Sequence, residues 1–117
     1  MVFEIVATDV PGGVTVLSVS GEIDMTTAPR LRGELVRAAT ERTPPRIVLD
    51  LCGVDLLDTT GIAAIVEGVK RCRLGGGALA LARSEPQVRR ELELTGIATA
   101  LPVHVTVDDA VSAVLGA

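Results

Sequence analysis

Arg46-Ile47-Val48-Leu49-Asp50-Leu51-Cys52-Gly53-Val54-Asp55-Leu56-Leu57-Asp58-Thr59-Thr60-Gly61-Ile62 is the stretch whose reading decides the fold of this chain. Residues 46–51 form a near-continuous apolar run, as expected of a strand buried on both faces of a sheet. Cys52 to Asp58 reads as a loop. A helix then starts between Thr59 and Gly61 and reaches about Leu74, with Ile62, Ile65, Val66 and Val69 on its buried stripe and Gly75-Gly76-Gly77 as its stop. Open α/β sheets place ligand and partner sites at such strand-to-helix corners. The helix start offers unpaired N–H groups and the positive end of the helix dipole, so a hydroxyl there can cap the helix, and a phosphate on it would lie close to those donors.

Working outward, Phe3 to Val10 reads as a first strand and Pro11-Gly12-Gly13 as a turn. Val14 to Ser20 alternates with period 2 and completes a hairpin. Gly21-Glu22-Ile23-Asp24 leaves that strand. Thr26 or Thr27 caps a helix over Ala28 to Glu41, with Pro29 in its first turn, where a missing N–H does no harm. Leu31, Leu35, Val36 and Ala39 face inward, while Arg30, Arg32, Glu34, Arg37 and Glu41 face outward. Thr43-Pro44-Pro45 ends the helix. Downstream, Ala78 to Ala82 is a strand, and Ser84 caps a third helix that holds Pro86 in its first turn and ends at Thr95-Gly96. Val103 to Val107 is a last strand, and Asp108 opens a final helix over Ala110 to Leu115. The order β-β-α-β-α-β-α-β-α predicts one α/β domain over residues 1–117, with a mixed, mostly parallel sheet of about four or five strands and about four helices.

Composition narrows the function. Apolar residues make up 48% of the 117, yet Phe3 is the one aromatic, so the core must be aliphatic. A net charge of −4 with no basic run argues against nucleic-acid binding and suits a partner with a basic contact surface. Met1-Val2-Phe3-Glu4 has no basic leader, and no run nears the roughly 20 apolar residues of a membrane span, so a cytoplasmic protein is expected. Cys52 and Cys72 are too few for a disulfide scaffold and read as small hydrophobes. His104 is the one histidine and has no Cys or His at ligand spacing, so neither a metal site nor a histidine-based catalytic arrangement is expected. Gly75-Gly76-Gly77 lacks the Lys-Ser/Thr of a phosphate loop. No catalytic residue and no cofactor is predicted.

Asp58-Thr59-Thr60-Gly61-Ile62, following an apolar strand that ends in Asp-Leu, resembles the signature of the STAS family. A second family signature stands upstream at the right distance: Val19-Ser20-Gly21-Glu22-Ile23-Asp24, followed by a Thr-Ala-Pro-x-Leu helix start at Thr27 to Leu31. The resemblance covers essentially the whole chain. It implies an anti-sigma factor antagonist, a monomer when free. Such a protein binds an anti-sigma factor of the histidine-kinase-like ATPase group, frees a sigma factor, and lets go when the kinase phosphorylates it. By position the acceptor is Thr60, with Thr59 the lesser candidate; on local sequence alone Thr60 is a plain helix-start hydroxyl. Asp24 and Asp58 match acidic residues beside the acceptor. The partner surface implied comprises Glu22, Asp24, Met25, Thr26, Thr27, Asp58, Thr59, Thr60, Gly61 and Ile62. This chain departs from the commonest pattern in having Thr at both hydroxyl positions. The alternative is a STAS subunit of a stress-signalling or lipid-transport assembly that binds constitutively.

Near Thr60 the sequence supplies Asp55, Asp58 and Asp24 but no neighbouring Lys or Arg, so a phosphate of roughly −1.5 to −2 charge would gather like charge at a contact surface. A Thr60 side chain sealed in the interior would contradict this reading. Residues 47–59 also resemble the opening of haloacid-dehalogenase-type phosphatases, with Asp50 as nucleophile. Cys52 stands where that family needs its second Asp, and a thiol cannot replace a carboxylate in acid/base work or magnesium binding.

Overall fold

Alternation along residues 14–23 sets the layers. The computed structural model describes residues 2–116. In it β1 (Glu4–Val10) pairs antiparallel with β2 (Val14–Ile23). β3 (Arg46–Leu57), β4 (Ala78–Ala82) and β5 (Val103–His104) then add in chain order, each parallel to its predecessor. Leu17, Val19 and Ile23 of β2, Ile47, Leu49 and Leu51 of β3, and Leu79 and Leu81 of β4 point to one face. There they pack on α1 (Ala28–Glu41), α2 (Thr59–Leu74) and α3 (Pro86–Leu94). The in-between residues Val14, Val16, Val48, Ala80 and Ala82 point to the other face and pack on Ala110 and Val114 of the last helix. The small Ala78, Ala80 and Ala82 there suit close approach of that helix despite the modest β propensity of alanine. The expected mixed, mostly parallel sheet and aliphatic core are what the structure has.

Several boundaries differ from expectation, each for a local reason. The segment Cys52 to Asp58, expected as a loop, is mostly strand: β3 runs on to Leu57 beside an equally extended β2. Two register shifts permit this. Three steps along β3 (Asp50 to Gly53) match two along β2 (Ser18 to Ser20), and the two steps from Val54 to Leu56 match the single step from Gly21 to Glu22. Gly53 sits so close to β2 that a Cβ would lie 2.8 Å from the Ser20 side chain. The glycine that resembled a loop signal is therefore a close-approach signal.

The first shift frees the N–H of Cys52, and Asp50 takes it up: Oδ1 accepts that bond at 3.1 Å. Arg83, just past β4, completes the arrangement. Its Nε and Nη2 donate to the two Asp50 oxygens at 3.2 and 2.6 Å. Asp50 is 5% exposed, whereas the Arg83 side chain keeps 46%, so the arginine covers the carboxylate from the solvent side. Arg83 adopts φ 51°, a left-handed conformation unusual for a side chain of its size.

The remaining differences lie near the C-terminus. Ser84 does not cap α3; Glu85 holds that position without a side-chain bond. A short α4 (Ile97–Ala100) follows, which raises the helices to five, and β5 is two residues long. α5 (Val107–Leu115) starts earlier than expected because Thr106, not Asp108, caps it, accepting from the Asp109 N–H at 3.0 Å. Cys72 is in the core as expected, but Cys52 is exposed.

Two predictions follow from this packing. Arg83→Ala leaves a buried carboxylate with one of its three hydrogen bonds and should cost about 2 kcal/mol in urea unfolding; a loss under about 0.5 kcal/mol would show that the pair contributes nothing. Burial pushes the Cys72 thiol up to about 11, so at pH 8 a thiol reagent should label Cys52 in the native protein and reach Cys72 only on unfolding. Equal labelling rates would contradict the packing described.

Candidate functional site

One hydrogen bond brings the two motif segments together: the Asp58 N–H donates to the Ile23 carbonyl at 3.1 Å, tying the end of β3 to the end of β2. The corners that follow are built alike. Asp24 Oδ1 accepts from the Thr26 N–H at 2.9 Å and the Thr26 hydroxyl at 2.6 Å. Asp58 Oδ1 accepts from the Thr60 N–H at 3.0 Å, the Thr60 hydroxyl at 2.5 Å and the Gly61 N–H at 3.1 Å. In both corners a carboxylate holds the hydroxyl of the threonine two residues on.

The cap of α2 is therefore Asp58, not Thr59 or Thr60. A carboxylate is a stronger acceptor than a neutral hydroxyl, and it takes up the Thr60 O–H as one of its donors. Such a cap contributes about 1 kcal/mol. The expectation that a phosphate on Thr60 would find free helix donors needs correction too: the Thr60 and Gly61 N–H groups go to the Asp58 side chain, and that of Ile62 to the Asp58 carbonyl. At α1, Thr27 occupies the cap position but makes no side-chain cap bond. Its hydroxyl instead donates to the Glu22 carbonyl at 2.8 Å and accepts from the Asp24 N–H at 3.0 Å, which fixes the turn.

Of the residues singled out from sequence, Glu22, Met25, Thr26, Thr59 and Thr60 are exposed, and Asp24, Thr27 and Asp58 are half-buried. Met25 keeps 73% of its surface exposed, a large apolar side chain with nothing packed over it. Gly61 and Ile62 are buried. A Cβ on Gly61 would lie 2.4 Å from the Ile23 side chain, so this pair supports the corner from beneath and presents no side chain on it.

A hollow of about 370 Å³ lies between the helices, lined by Met25, Ala28, Pro29 and Arg32 on one wall and Thr60, Ala63, Ala64 and Glu67 on the other. Arg32 and Glu67 close its far end, with Nε to Oε2 at 2.5 Å and Nη2 to Oε1 at 3.1 Å. Thr60, Ala63, Ala64 and Glu67 follow i, i+3, i+4, i+7 spacing along one face of α2, the signal by which a helix wheel could have found this wall. Arg32 is a cation on the hollow that Thr60 also lines, held at Glu67 two helical turns along α2 from Thr60. Asp55, expected beside Thr60, instead lines a separate hollow with Gln87 and Glu91, and Gln87 donates to its carbonyl.

The Asp24 carboxyl lies below the ordinary carboxylate range, chiefly because the Thr26 hydroxyl donates to its charged form, with the Thr26 N–H next. Its folded-state value is depressed, so the turn's contribution is present at neutral pH and is lost only as pH falls through that lowered value. A carbon-13 titration should place Asp24 below an aspartate in an unfolded peptide, and Thr26→Ala should raise it; an unchanged midpoint in that variant would remove the hydroxyl as the cause. Among the described residues no group of three or more His, Cys, Asp or Glu could hold a metal ion, and no helix is long and apolar enough to cross a membrane.

Comparison with known proteins agrees with this architecture. The family model described as "STAS domain" matches residues 6–110. The chain is 29% identical over 92 residues to the Anti-sigma F factor antagonist of Paenibacillus polymyxa, covering 79% of each chain. It is 33% identical over 81 residues to the Anti-sigma-B factor antagonist of Bacillus subtilis, covering 69% of this chain and 72% of that one. Among solved structures, an anti-sigma factor antagonist from Mycobacterium paratuberculosis superposes with a TM-score of 0.85 at 32% identity, over 97% of this chain and 94% of the other. By the family model that spans most of its length and by its likeness to that solved structure, the chain belongs to the STAS domain family.

Proposed function

We propose that this chain is an anti-sigma factor antagonist acting in the cytoplasm, which binds an anti-sigma factor of the histidine-kinase-like ATPase group and frees a sigma factor. It acts by protein contact rather than catalysis. The surface is the hollow between α1 and α2, with the exposed residues of its two corners: Glu22, Met25 and Thr26 on one side, Thr59 and Thr60 on the other. Met25 and the alanines offer apolar contact, and the rim offers hydrogen bonds.

The observation that carries the reading is the exposed Thr60 side chain at the edge of this hollow. Its oxygen takes the γ-phosphoryl group of ATP held by the kinase; ADP leaves and the hydroxyl proton passes to a base. The product puts negative charge and three acceptor oxygens where a neutral hydroxyl had fitted, and the complex separates. A phosphatase reading has no support at Asp50, because that carboxylate is buried and both its oxygens are bound to Arg83.

Incubation with a purified anti-sigma kinase and ATP, followed by mass mapping, should place one phosphate on Thr60 and not on Thr59. Thr60→Ala should bind the kinase as the unmodified protein does, and the phosphorylated form at least about tenfold more weakly, about 1.4 kcal/mol. Equal affinity of both forms would remove the switch and leave a constitutively binding STAS subunit.

A further inference from the structure

We infer that Arg32 is the receptor for the phosphate on Thr60, exchanging Glu67 for it across the α1–α2 hollow. This rests on Thr60 being the acceptor, and it adds to charge repulsion a second means of release: the protein fills its own docking groove.

Four observations carry it. The first is that Thr60 cannot keep its present partner once esterified. Its hydroxyl proton, now given to Asp58 at 2.5 Å, is gone, and a phosphate would stand against that carboxylate. Asp58 also holds the Thr60 and Gly61 N–H groups, so the helix start has little to offer the phosphate. Repulsion turns the phosphate away from Asp58, and the hollow that Thr60 lines is open beside it.

The second is what stands in that hollow. Between Thr60 and Glu67 the α2 wall consists of Ala63 and Ala64, over about 10 Å of helix at about 1.5 Å per residue. On the α2 wall no long side chain stands between Thr60 and Glu67, Met25 and Pro29 belonging to the facing wall, and Arg32 is the cation lining the hollow.

The third is that the present bond of Arg32 is an exchangeable one. The side chains are 58% and 34% exposed, and exposed ion pairs are weak. A phosphate dianion gives a guanidinium the same two-pronged contact with more charge. The fourth is that Glu67 is not stranded by the exchange, because Arg71 Nη2 lies 3.6 Å from its Oε1. Arg71 already adds to what holds the Glu67 carboxyl below the ordinary range, behind the larger effect of Arg32.

The test uses the full chain with phosphothreonine placed at position 60 by genetic encoding, so that it needs no kinase. Phosphorus NMR follows the second ionisation of the phosphate in the parent, Arg32→Ala, Arg32→Lys and Arg30→Ala proteins. Arg30 removes the same charge elsewhere on α1, where its guanidinium lies over the Phe3 ring. The midpoint should be at least about half a pH unit higher in Arg32→Ala than in the parent, intermediate in Arg32→Lys, and unchanged in Arg30→Ala. The Arg32 Nε–H resonance should shift with the same midpoint. Identical midpoints in the parent and Arg32→Ala, or equal effects of Arg30→Ala and Arg32→Ala, would overturn the assignment of Arg32. Failure of the switch itself would show separately, as equal partner affinity of the phosphorylated and unphosphorylated parent.

Discussion

Asp50 is a carboxylate at 5% exposure that holds the Cys52 N–H and two nitrogens of Arg83, and the rest of the site depends on it. A strand that bulges exposes a backbone donor, and a buried donor must find an acceptor. Because Asp50 supplies one, β3 continues past the irregularity for several residues instead of ending at Leu51. Those residues deliver Leu57 to the core and Asp58 to the Ile23 carbonyl. Arg83 makes the buried charge tolerable and joins β3 to the end of β4.

The two corners are a consequence of that extension. If β3 ended six residues earlier, α2 would start below the level of α1, and Thr60 would not face Met25 and Pro29 across a common hollow. Each corner is stiffened from within by an aspartate bound to a nearby threonine, so exposed hydroxyls are presented on a fixed backbone. That combination suits recognition by another protein: the geometry is set before the partner arrives, and ordering costs are low. It also means that a chemical change at one oxygen breaks a defined bond instead of being absorbed by a flexible loop.

Much of this was legible beforehand. The period-2 run at Val14 to Ser20, the apolar run at Arg46 to Leu51 and the Gly75 to Gly77 stop each specify an element through short-range chemistry, and apart from the added α4 the elements follow the expected order. The misreadings share one cause. Gly53 and Asp55 look like loop residues, Thr59 and Thr60 look like caps, and Ser84 looks like a cap, each judged on neighbours in sequence. Their actual roles are set by residues further off: β2 pressing on Gly53, Asp58 outcompeting the hydroxyls, and α3 starting at Pro86 without a side-chain bond from Ser84.

What the sequence by itself determined is the order of strands and helices, the aliphatic two-faced core and the two motifs that identify the family, because periodicity and motif spacing are properties of the covalent chain. Tertiary structure alone decided how far β3 runs, that Gly61 lies beneath the surface while Met25 lies on it, and that Arg32 shares a hollow with Thr60. Those facts depend on strand register and on the packing of α1 against α2. Register and packing are fixed by contacts between residues some 30 positions apart, such as Leu35 with Gly68 and Asp50 with Arg83, which no local pattern records.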